Sequence, residues 1–412
     1  MENVFSDKTE EGLRLIWMQF EPEKSRLGVQ LLQQAADAGD ADALCFLACS
    51  RMGEPYVHEY AGLDADPEAA AALLKQSVRR GSACAVLVAR GCGELTPSVR
   101  RDMPFSLKEA WDAVLAKAPG HPLLQCLVGS ALYYGDIDVP ASHAGHPDTA
   151  AVPWLEKALD AGFPDTGIAL CALYAEGPLR NRERLWDIVR RCAATGSPYW
   201  EARLGKLHYE EDGQEAEALR WFETAARHGQ ADSWFDVGFQ YEKGLGVGKD
   251  ERKAAEAYRK GAERGFPDAQ QSLGVLTFFG RGVPQDFARA AYWLREAASA
   301  GKPLAYGVLG QCFLRGLGVQ RDDGEAFALF SRFLDAYDAE ELDDDEASYY
   351  PDELVGMVYN GLGELYAGGR GGPEDLKEAV SSFQDAADLG NADARHSLAL
   401  FKKNWLGRWV RR

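Results

Sequence analysis

The sequence has 412 residues, of which 46% are hydrophobic and 26% are charged, a balance typical of a folded rather than a disordered chain. A single compact core rarely extends to this length, so we expect either two or three domains or an array of repeats. The formal net charge of -19 argues against nucleic acids and anionic membranes as partners and favours a protein partner with a basic surface.

The N-terminal segment and the cysteines both favour a cytoplasmic location. The segment MENVFSDKTEEGLRLIWMQF carries acidic residues where a secretory signal would be basic, and no apolar run of about 18 residues predicts a transmembrane helix. The eight cysteines are scattered mostly among apolar residues, which predicts buried free thiols. Cys45 and Cys49 are four residues apart on one predicted helix, a poor geometry for a disulfide, so we expect a pair of core thiols.

Recurring glycines set the register of an internal repeat. They stand at Gly39, Gly81, Gly120, Gly162, Gly196, Gly229, Gly265, Gly301 and Gly390, and the segments that follow Gly229, Gly265 and Gly301 repeat with a period of 36 residues. Small residues stand three, four and eleven positions before most of these glycines, which places them on one face of a helix, and nine positions after most of them, as at Gly238, Gly274 and Gly310. Each unit is therefore predicted to be a pair of antiparallel helices pressed together along seams of small residues.

The first part of the chain, residues 1–150, carries degenerate repeats and one candidate metal motif. His143 and His146, in the segment SHAGHPD, have the loose spacing of two metal ligands. No nearby cysteine or further histidine completes a ligand set, so we expect a solvated loop and no metal site.

Well-formed repeats follow over residues 151–337. Three tryptophans stand eight residues before a turn glycine, and we interpret them as repeat core rather than as part of a cofactor site: Trp154, Trp221 and Trp293. Three aspartates spaced 36 residues apart precede alanine-rich stretches: Asp250, Asp286 and Asp322. A carboxylate at such a position accepts a hydrogen bond from an otherwise unpaired backbone N–H, so we predict that each one caps a helix.

The stretch EKGLGVGKDE, residues 242–251, superficially resembles a phosphate-binding loop. That loop requires Gly-x-x-x-x-Gly-Lys-Ser/Thr between a strand and a helix, but Lys243 stands in place of the first glycine and Asp250 in place of the hydroxyl residue. We therefore predict a turn inside a helical hairpin. No serine elbow, zinc-protease helix or dinucleotide fingerprint appears either, so we expect neither an enzyme nor a cofactor.

The segment VGFQYEKGLGVGKDERKAAEAYRKGAERG, residues 237–265, resembles the Sel1-like repeat, a relative of the tetratricopeptide repeat. The resemblance is most specific over residues 196–330, recognisable over 150–195 and 355–405, and degenerate before 150. It implies an all-α, right-handed superhelix of about nine helical hairpins that binds proteins, usually without catalysis. Among the roles of this family we favour a bacterial immunity or adaptor protein for a secreted toxin; a signalling or stress-pathway scaffold and a repeat-based hydrolase are the alternatives.

The concave surface of such a superhelix is the first candidate binding site, because the first helix of each unit lines it. Large apolar residues at nominally exposed positions of these helices suggest a groove for a partner: Tyr209, Trp234, Phe278, Tyr306 and Leu314. The alternative interpretation is that these side chains pack against the neighbouring unit.

The second candidate site is an acidic insertion over residues 338–352. Gly301 and Gly390 are 89 residues apart, which is 17 more than two 36-residue periods, and ten of the 19 residues from Asp335 to Glu353 are acidic. The run is interpreted either as a solvated loop or as a binding element for a basic partner, with contacts from Asp343, Asp344, Asp345, Tyr349 and Tyr350. Residues 353–412 are predicted to form a C-terminal repeat and a capping helix with the basic end FKKNWLGRWVRR.

Overall fold

The computed structural model describes residues 4–52, 63–134, 147–175, 179–211, 213–338, 352–372, 374–404 and 407–411. The described residues form an all-α solenoid of ten helical hairpins, followed by one short β-hairpin. The predicted fold class is confirmed. The chain divides into two compact units, which we call unit 1 (residues 1–233) and unit 2 (residues 234–412).

Unit 1 contains six hairpins; in each, we call the first helix the A helix and the second the B helix. The pairs are α1 (Asp7–Trp17) with α2 (Pro22–Asp37), α3 (Ala41–Cys49) with α4 (Pro67–Arg79), α5 (Ala83–Gly91) with α7 (Leu107–Lys117), α8 (Pro122–Tyr133) with α9 (Pro147–Asp160), α10 (Thr166–Ala175) with α11 (Arg182–Ala193), and α12 (Pro198–Tyr209) with α13 (Glu215–Arg227). The short helix α6 (Pro97–Arg101) and a 3-10 turn (Ala118–Gly120) lie in connections.

Unit 2 contains four hairpins and ends in the β-hairpin. The pairs are α14 (Ser233–Lys243), which begins at the last residue of unit 1, with α15 (Glu251–Ala262), α16 (Pro267–Phe279) with α17 (Phe287–Ser299), α18 (Pro303–Arg315) with α19 (Asp323–Asp338), and α20 (Asp352–Gly368) with α21 (Leu376–Asp388). The helix α22 (Ala392–Leu398) and the strands β1 (Phe401–Lys403) and β2 (Trp409–Arg411) follow.

The predicted aspartate caps are confirmed. The Oδ1 atoms of Asp250, Asp286 and Asp322 each accept hydrogen bonds, at 3.0 to 3.1 Å, from the backbone N–H groups two and three residues further on. Asp375 caps α21 in the same way. These bonds pair N–H groups that the first turn of a helix leaves without an internal acceptor, which fixes the start of each B helix.

The predicted small-residue seams lie between the A and B helices of single hairpins. A Cβ atom added to Gly274 would come within 2.8 Å of the Cγ atom of Leu294. Other glycines meet a large B-helix side chain equally closely: Gly129 meets Leu155, Gly205 meets Phe222, Gly238 meets Tyr258, Gly310 meets Phe330, and Gly363 meets Phe383. Glycine recurs at these A-helix positions because a large side chain of the B helix already occupies the space that a Cβ atom would need.

Unit 2 contains a second set of close glycine contacts, which join successive hairpins. Gly282, in the loop between α16 and α17, has a φ angle of +67°, and a Cβ atom added to it would lie 2.0 Å from the carbonyl oxygen of Glu251 at the start of α15. Gly318 meets the backbone of Phe287 at 2.3 Å, and Gly371 meets that of Asp323 at 2.3 Å. The loops of these three hairpins thus rest directly on the first residue of the preceding B helix.

The segment EKGLGVGKDE has the hairpin geometry that its repeats predict. Helix α14 ends at Lys243 and α15 begins at Glu251, while Gly244 and Gly246 have positive φ angles of +77° and +64°. The tryptophans Trp154, Trp221 and Trp293 are half-buried and pack against the hydrophobic cores of their own units. Both interpretations, a turn and a structural core, are confirmed.

The predicted C-terminal capping helix is wrong. The tail forms an antiparallel β-hairpin in which Phe401 pairs with Arg411. Gly407 has a φ angle of +74° and reverses the chain, which a helix does not allow. The hairpin is held against α21 by Phe401, which is 6% exposed and lies 6.0 Å from Phe383 between ring centroids.

Candidate protein-binding surfaces

The structure separates the five predicted groove residues by their exposure. Tyr209, on α12 of unit 1, is 38% exposed, whereas Phe278 and Leu314 are only 7% and 2% exposed. The Phe278 ring packs against Phe287 of its own hairpin, with 5.4 Å between centroids. Phe278 and Leu314 are therefore core side chains in unit 2.

Trp234 and Tyr306 retain part of their surface. Both side chains are half-buried on A helices of unit 2. The ammonium group of Lys260 lies 4.3 Å from the centroid of the Trp234 ring, a cation–π contact. The indole N–H of Trp234 is buried and has no hydrogen-bond acceptor among the residues that the structure describes.

Two groups of predicted positions lie outside the described residues. They are residues 339–351 of the acidic insertion, with Asp343, Asp344, Asp345, Tyr349 and Tyr350, and the histidine pair His143 and His146. Their proposed roles stay predictions.

Unit 1 contains an apolar cavity that the sequence did not reveal. Its volume is about 430 Å³, which is within the range of about 300 to 1,000 Å³ typical of ligand pockets. The A helices of the first five hairpins all contribute to its wall, which is formed by Trp17, Phe46, Cys49, Leu87, Val88, Gly91, Cys92, Leu123, Cys126, Leu127, Ser130, Ala131, Tyr134, Phe163, Asp165, Ile168 and Ala169. The cavity therefore lies on the A-helix side of unit 1.

The cysteines in this wall act as apolar groups. Burial raises the pKa of the Cys126 thiol to about 12 and also raises the pKa of Cys92. Both thiols therefore stay protonated at neutral pH, and a protonated thiol is neither a strong nucleophile nor a good metal ligand. All eight cysteines of the chain are free, and six of them are buried as predicted, whereas Cys92 is exposed and Cys126 is half-buried.

A second, acidic cavity of about 500 Å³ adjoins the apolar one and shares Leu123 and Phe163 with it. Three carboxylates line it, those of Asp7, Glu10 and Glu11. Arg14 and His121 are the basic residues of its wall. Carboxylates thus outnumber basic groups, and we use the name unit 1 groove for the apolar and acidic cavities together.

Hydrogen bonds fix the carboxylates of the acidic cavity. Glu10 accepts a hydrogen bond from the backbone N–H of Phe5 at 3.1 Å and lies 3.0 Å from the Nε2 atom of His121. Glu11 forms an ion pair with Arg14 at 2.6 Å, in which its side chain is 44% exposed. The bond from Arg14 lowers the pKa of Glu11, so this group carries its charge at neutral pH.

One signal in the sequence could have indicated the cavity. Two of the five A helices around it contain no charged residue along their whole length: α8 (PLLQCLVGSALY) and α10 (TGIALCALYA). A helix that is apolar on every side is expected to be covered on every side. In a hairpin that buries only one face, this composition leaves apolar surface for a ligand.

Two absences apply to the described residues alone. No helix there is both long and apolar enough to span a membrane. No group of three or more His, Cys, Asp or Glu side chains there has the arrangement of a metal site.

Comparison with known families identifies the repeats. The family described as Sel1 repeat matches residues 22–40, 46–82, 122–163, 201–230, 235–266, 267–302, 303–338 and 357–391, which together make up more than half of the chain. The chain belongs to the Sel1 repeat family. The matches at 22–40, 46–82 and 122–163 also cover much of the segment in which the repeats are degenerate.

Solved structures and a curated relative are also similar to this chain. A protective antigen from uropathogenic Escherichia coli with an SLR fold is 21% identical, aligns with a TM-score of 0.55, and the alignment covers 95% of this chain and 79% of the antigen. A Sel1 repeat protein from Oxalobacter formigenes is 23% identical with a TM-score of 0.49, covering 97% and 96% of the two chains. DAP3-binding cell death enhancer 1 from Rattus norvegicus is 35% identical over 83 residues, which are 20% of this chain and 16% of the rat protein.

Proposed function

We propose that this Sel1 repeat protein is a non-catalytic scaffold that binds a protein partner with a basic surface. The observation that carries the proposal is the unit 1 groove, in which an apolar cavity and an acidic cavity adjoin on the A-helix side. Apolar surface favours association, and carboxylates at its edge favour a basic partner over an acidic one. The net charge of -19 adds long-range attraction for the same class of partner.

The partner class that we favour is a secreted toxin, for which the protein would act as an immunity or adaptor protein in the cytoplasm of a bacterium. Complementary charge speeds association and suppresses wrong partners, so the acidity of this chain fits the recognition of a basic toxin. A component of a secretion or signalling pathway with a basic surface is the alternative partner. In both cases the scaffold contributes binding and no chemistry.

Affinity purification with matched variants tests the proposal. The chain would be used as bait in three forms: the natural sequence, Glu11→Lys in the acidic cavity, and Glu217→Lys as a control. Glu11 and Glu217 are suitable for comparison because each forms an exposed i,i+3 ion pair with an arginine at 2.6 Å, Arg14 and Arg220 respectively.

We expect one basic protein, identified by mass spectrometry, to be retained by the natural chain and the control and lost from Glu11→Lys. The purified partner should bind directly, and less tightly at high salt because counterions screen exposed charges. Equal retention by all three baits would show that the unit 1 groove is not used. Once a partner is identified, co-expression tests its role. Neutralisation of the partner's toxicity would favour the immunity role over the alternative of a secretion or signalling component.

Trp234 and Tyr306 provide a separate test in unit 2. If the partner also contacts these A helices, Trp234→Ala with Tyr306→Ala should weaken binding by about 2 kcal/mol or more. Because both side chains are half-buried, the unfolding midpoint of this variant has to be measured as well. Unchanged affinity in a folded double variant would exclude these two side chains from the binding surface.

A further inference from the structure

We infer that the unit 1 groove recognises a peptide segment with one large apolar side chain and a Lys or Arg close to it in space. This inference rests on the proposed function and specifies the segment that the groove selects. The two cavities share Leu123 and Phe163, so a ligand in one of them is in contact range of the other. A single segment can therefore satisfy both.

The apolar cavity defines the first half of the motif. Its wall combines aromatic and aliphatic side chains with thiols that stay protonated, such as Cys126. Burial of apolar surface stabilises a complex by about 25 cal/mol per Å². An anchor such as Leu, Phe or Trp gains the most from this environment, and an acidic side chain would lose its hydration there without a basic partner.

The acidic cavity defines the second half. Glu10 and Glu11 are held in place by their bonds to His121 and Arg14, so their negative charges are fixed in position before a ligand binds. Asp165 adds a carboxylate to the wall of the apolar cavity itself. A Lys or Arg beside the anchor would approach these groups, whereas a Glu or Asp would be repelled.

The same charges argue against the other ligands that apolar cavities commonly hold. A fatty acid or a phospholipid would bring a carboxylate or a phosphate towards the three acidic residues of the adjoining cavity. A small apolar amine has both an apolar group and a positive charge, but it is too small to fill two cavities of about 430 and 500 Å³. A peptide segment, which spaces its anchor and its cation along a backbone, fits the combined groove.

Labelled peptides test the inference directly. The probes are fluorescent 12-residue peptides with one Phe anchor and two Lys residues three and four positions away from it. Matched peptides carry Glu in place of both Lys residues, or Ser in place of Phe. Fluorescence anisotropy with the full-length chain measures their affinities, with phenylethylamine as a competitor that has the same two groups but no backbone.

The Phe/Lys peptide should bind at least about tenfold more tightly than either matched peptide, and phenylethylamine should not displace it at equal concentration. Glu11→Lys should weaken this binding at least about tenfold, while Glu217→Lys should leave it unchanged. Ser130→Trp, which places a large ring at the half-buried wall of the apolar cavity, should weaken it as well. Circular dichroism checks that each variant is folded.

Several results would overturn the inference: equal binding of the Lys and Glu peptides, equal binding of the Phe and Ser peptides, displacement by phenylethylamine, or equal effects of Glu11→Lys and Glu217→Lys. The proposed function would survive such results if affinity purification still yields a partner that Glu11→Lys fails to retain. If affinity purification instead yields no partner while the chain still selects the Phe/Lys peptide, the motif would stand and the scaffold role would be removed. The two proposals therefore fail in different experiments.

Discussion

Unit 1 and unit 2 are built from the same helical hairpin, but only unit 2 keeps a constant period, 36 residues, over its first three hairpins. Its loop glycines Gly282, Gly318 and Gly371 rest on the backbone of the preceding hairpin. Among the described residues of unit 1, no loop glycine approaches another hairpin's backbone in this way, and successive turn glycines are 33 to 42 residues apart. The difference indicates that regular loops fix the spacing of hairpins, while irregular loops accompany a cavity between A helices.

The largest effect is expected where the backbone contact of unit 2 is broken. Gly282→Ala adds a Cβ atom 2.0 Å from the carbonyl oxygen of Glu251, at a φ angle of +67°. Left-handed backbone and overpacking together should lower the free energy of unfolding by about 2 to 5 kcal/mol. Urea denaturation followed by circular dichroism measures the loss.

Two other glycines of unit 2 separate the effect of the left-handed backbone from that of the overpacked contact. Gly265 has a φ angle of +85° but no atom within 4 Å of an added Cβ, so Gly265→Ala should lower the free energy of unfolding by only about 1 to 2 kcal/mol. Gly248 has open space and no positive φ angle, so Gly248→Ala should be neutral or slightly stabilising. If Gly282→Ala were no worse than Gly265→Ala, the backbone contact would not hold the hairpins together.

A smaller effect is expected at the seam inside a hairpin, a feature that both units share. Gly274→Leu overpacks the contact with Leu294 in unit 2 and should lower the free energy of unfolding by about 1 to 3 kcal/mol. Adding Leu294→Ala should recover part of this loss, because the volume at the seam is restored.

Gly205→Leu, against Phe222, repeats the test in unit 1. Similar losses at Gly274 and Gly205 would confirm that the units differ in how hairpins stack and not in how each hairpin is packed. A loss confined to one unit would contradict that view.

The smallest effect concerns a buried carboxylate of unit 1. Glu201 is 5% exposed at its side chain, and its oxygens lie 2.8 and 3.0 Å from the Nδ1 atom of His228. Burial raises the pKa of Glu201 above its ordinary value of 4.5, although the bond to His228 acts in the opposite direction. The folded protein therefore binds this proton more tightly than the unfolded chain does, and the stability contributed by Glu201 falls as pH rises above 4.5.

Glu201→Gln removes this titration while it keeps an oxygen that can accept a hydrogen bond from His228. Thermal unfolding between about pH 4 and pH 7 should show the variant gaining stability relative to the natural chain as pH increases. A stability difference independent of pH would show that Glu201 has the same pKa in both states.

The sequence was sufficient for the fold because the repeat places its signals at fixed intervals. Asp250 and Gly274 could be assigned to a cap and a seam from their spacing alone. The tail could not be assigned, because the left-handed turn at Gly407 and the burial of Phe401 depend on contact with α21. The exposure of the predicted groove residues could not be read from the sequence, because a large apolar residue in an A helix can equally face the core, as Phe278 and Leu314 do.

The unit 1 groove could not be predicted because it depends on irregular spacing. Its wall combines residues as distant in sequence as Trp17 and Ile168, and no periodic pattern connects them. A periodic pattern records contacts that every repeat makes, whereas a cavity forms where the repeats diverge. The uncharged A helices α8 and α10 were its only local sign.

Hydrogen exchange with mass spectrometry tests most directly whether the A-helix side of unit 1 is a binding surface. The full-length chain would be compared with and without a saturating amount of the Phe/Lys peptide. We expect slower amide exchange in the A helices α5, α8 and α10, with unchanged exchange in the B helices α4, α9 and α11. Protection confined to the B helices, or unaltered exchange throughout unit 1 at saturating peptide, would contradict the account.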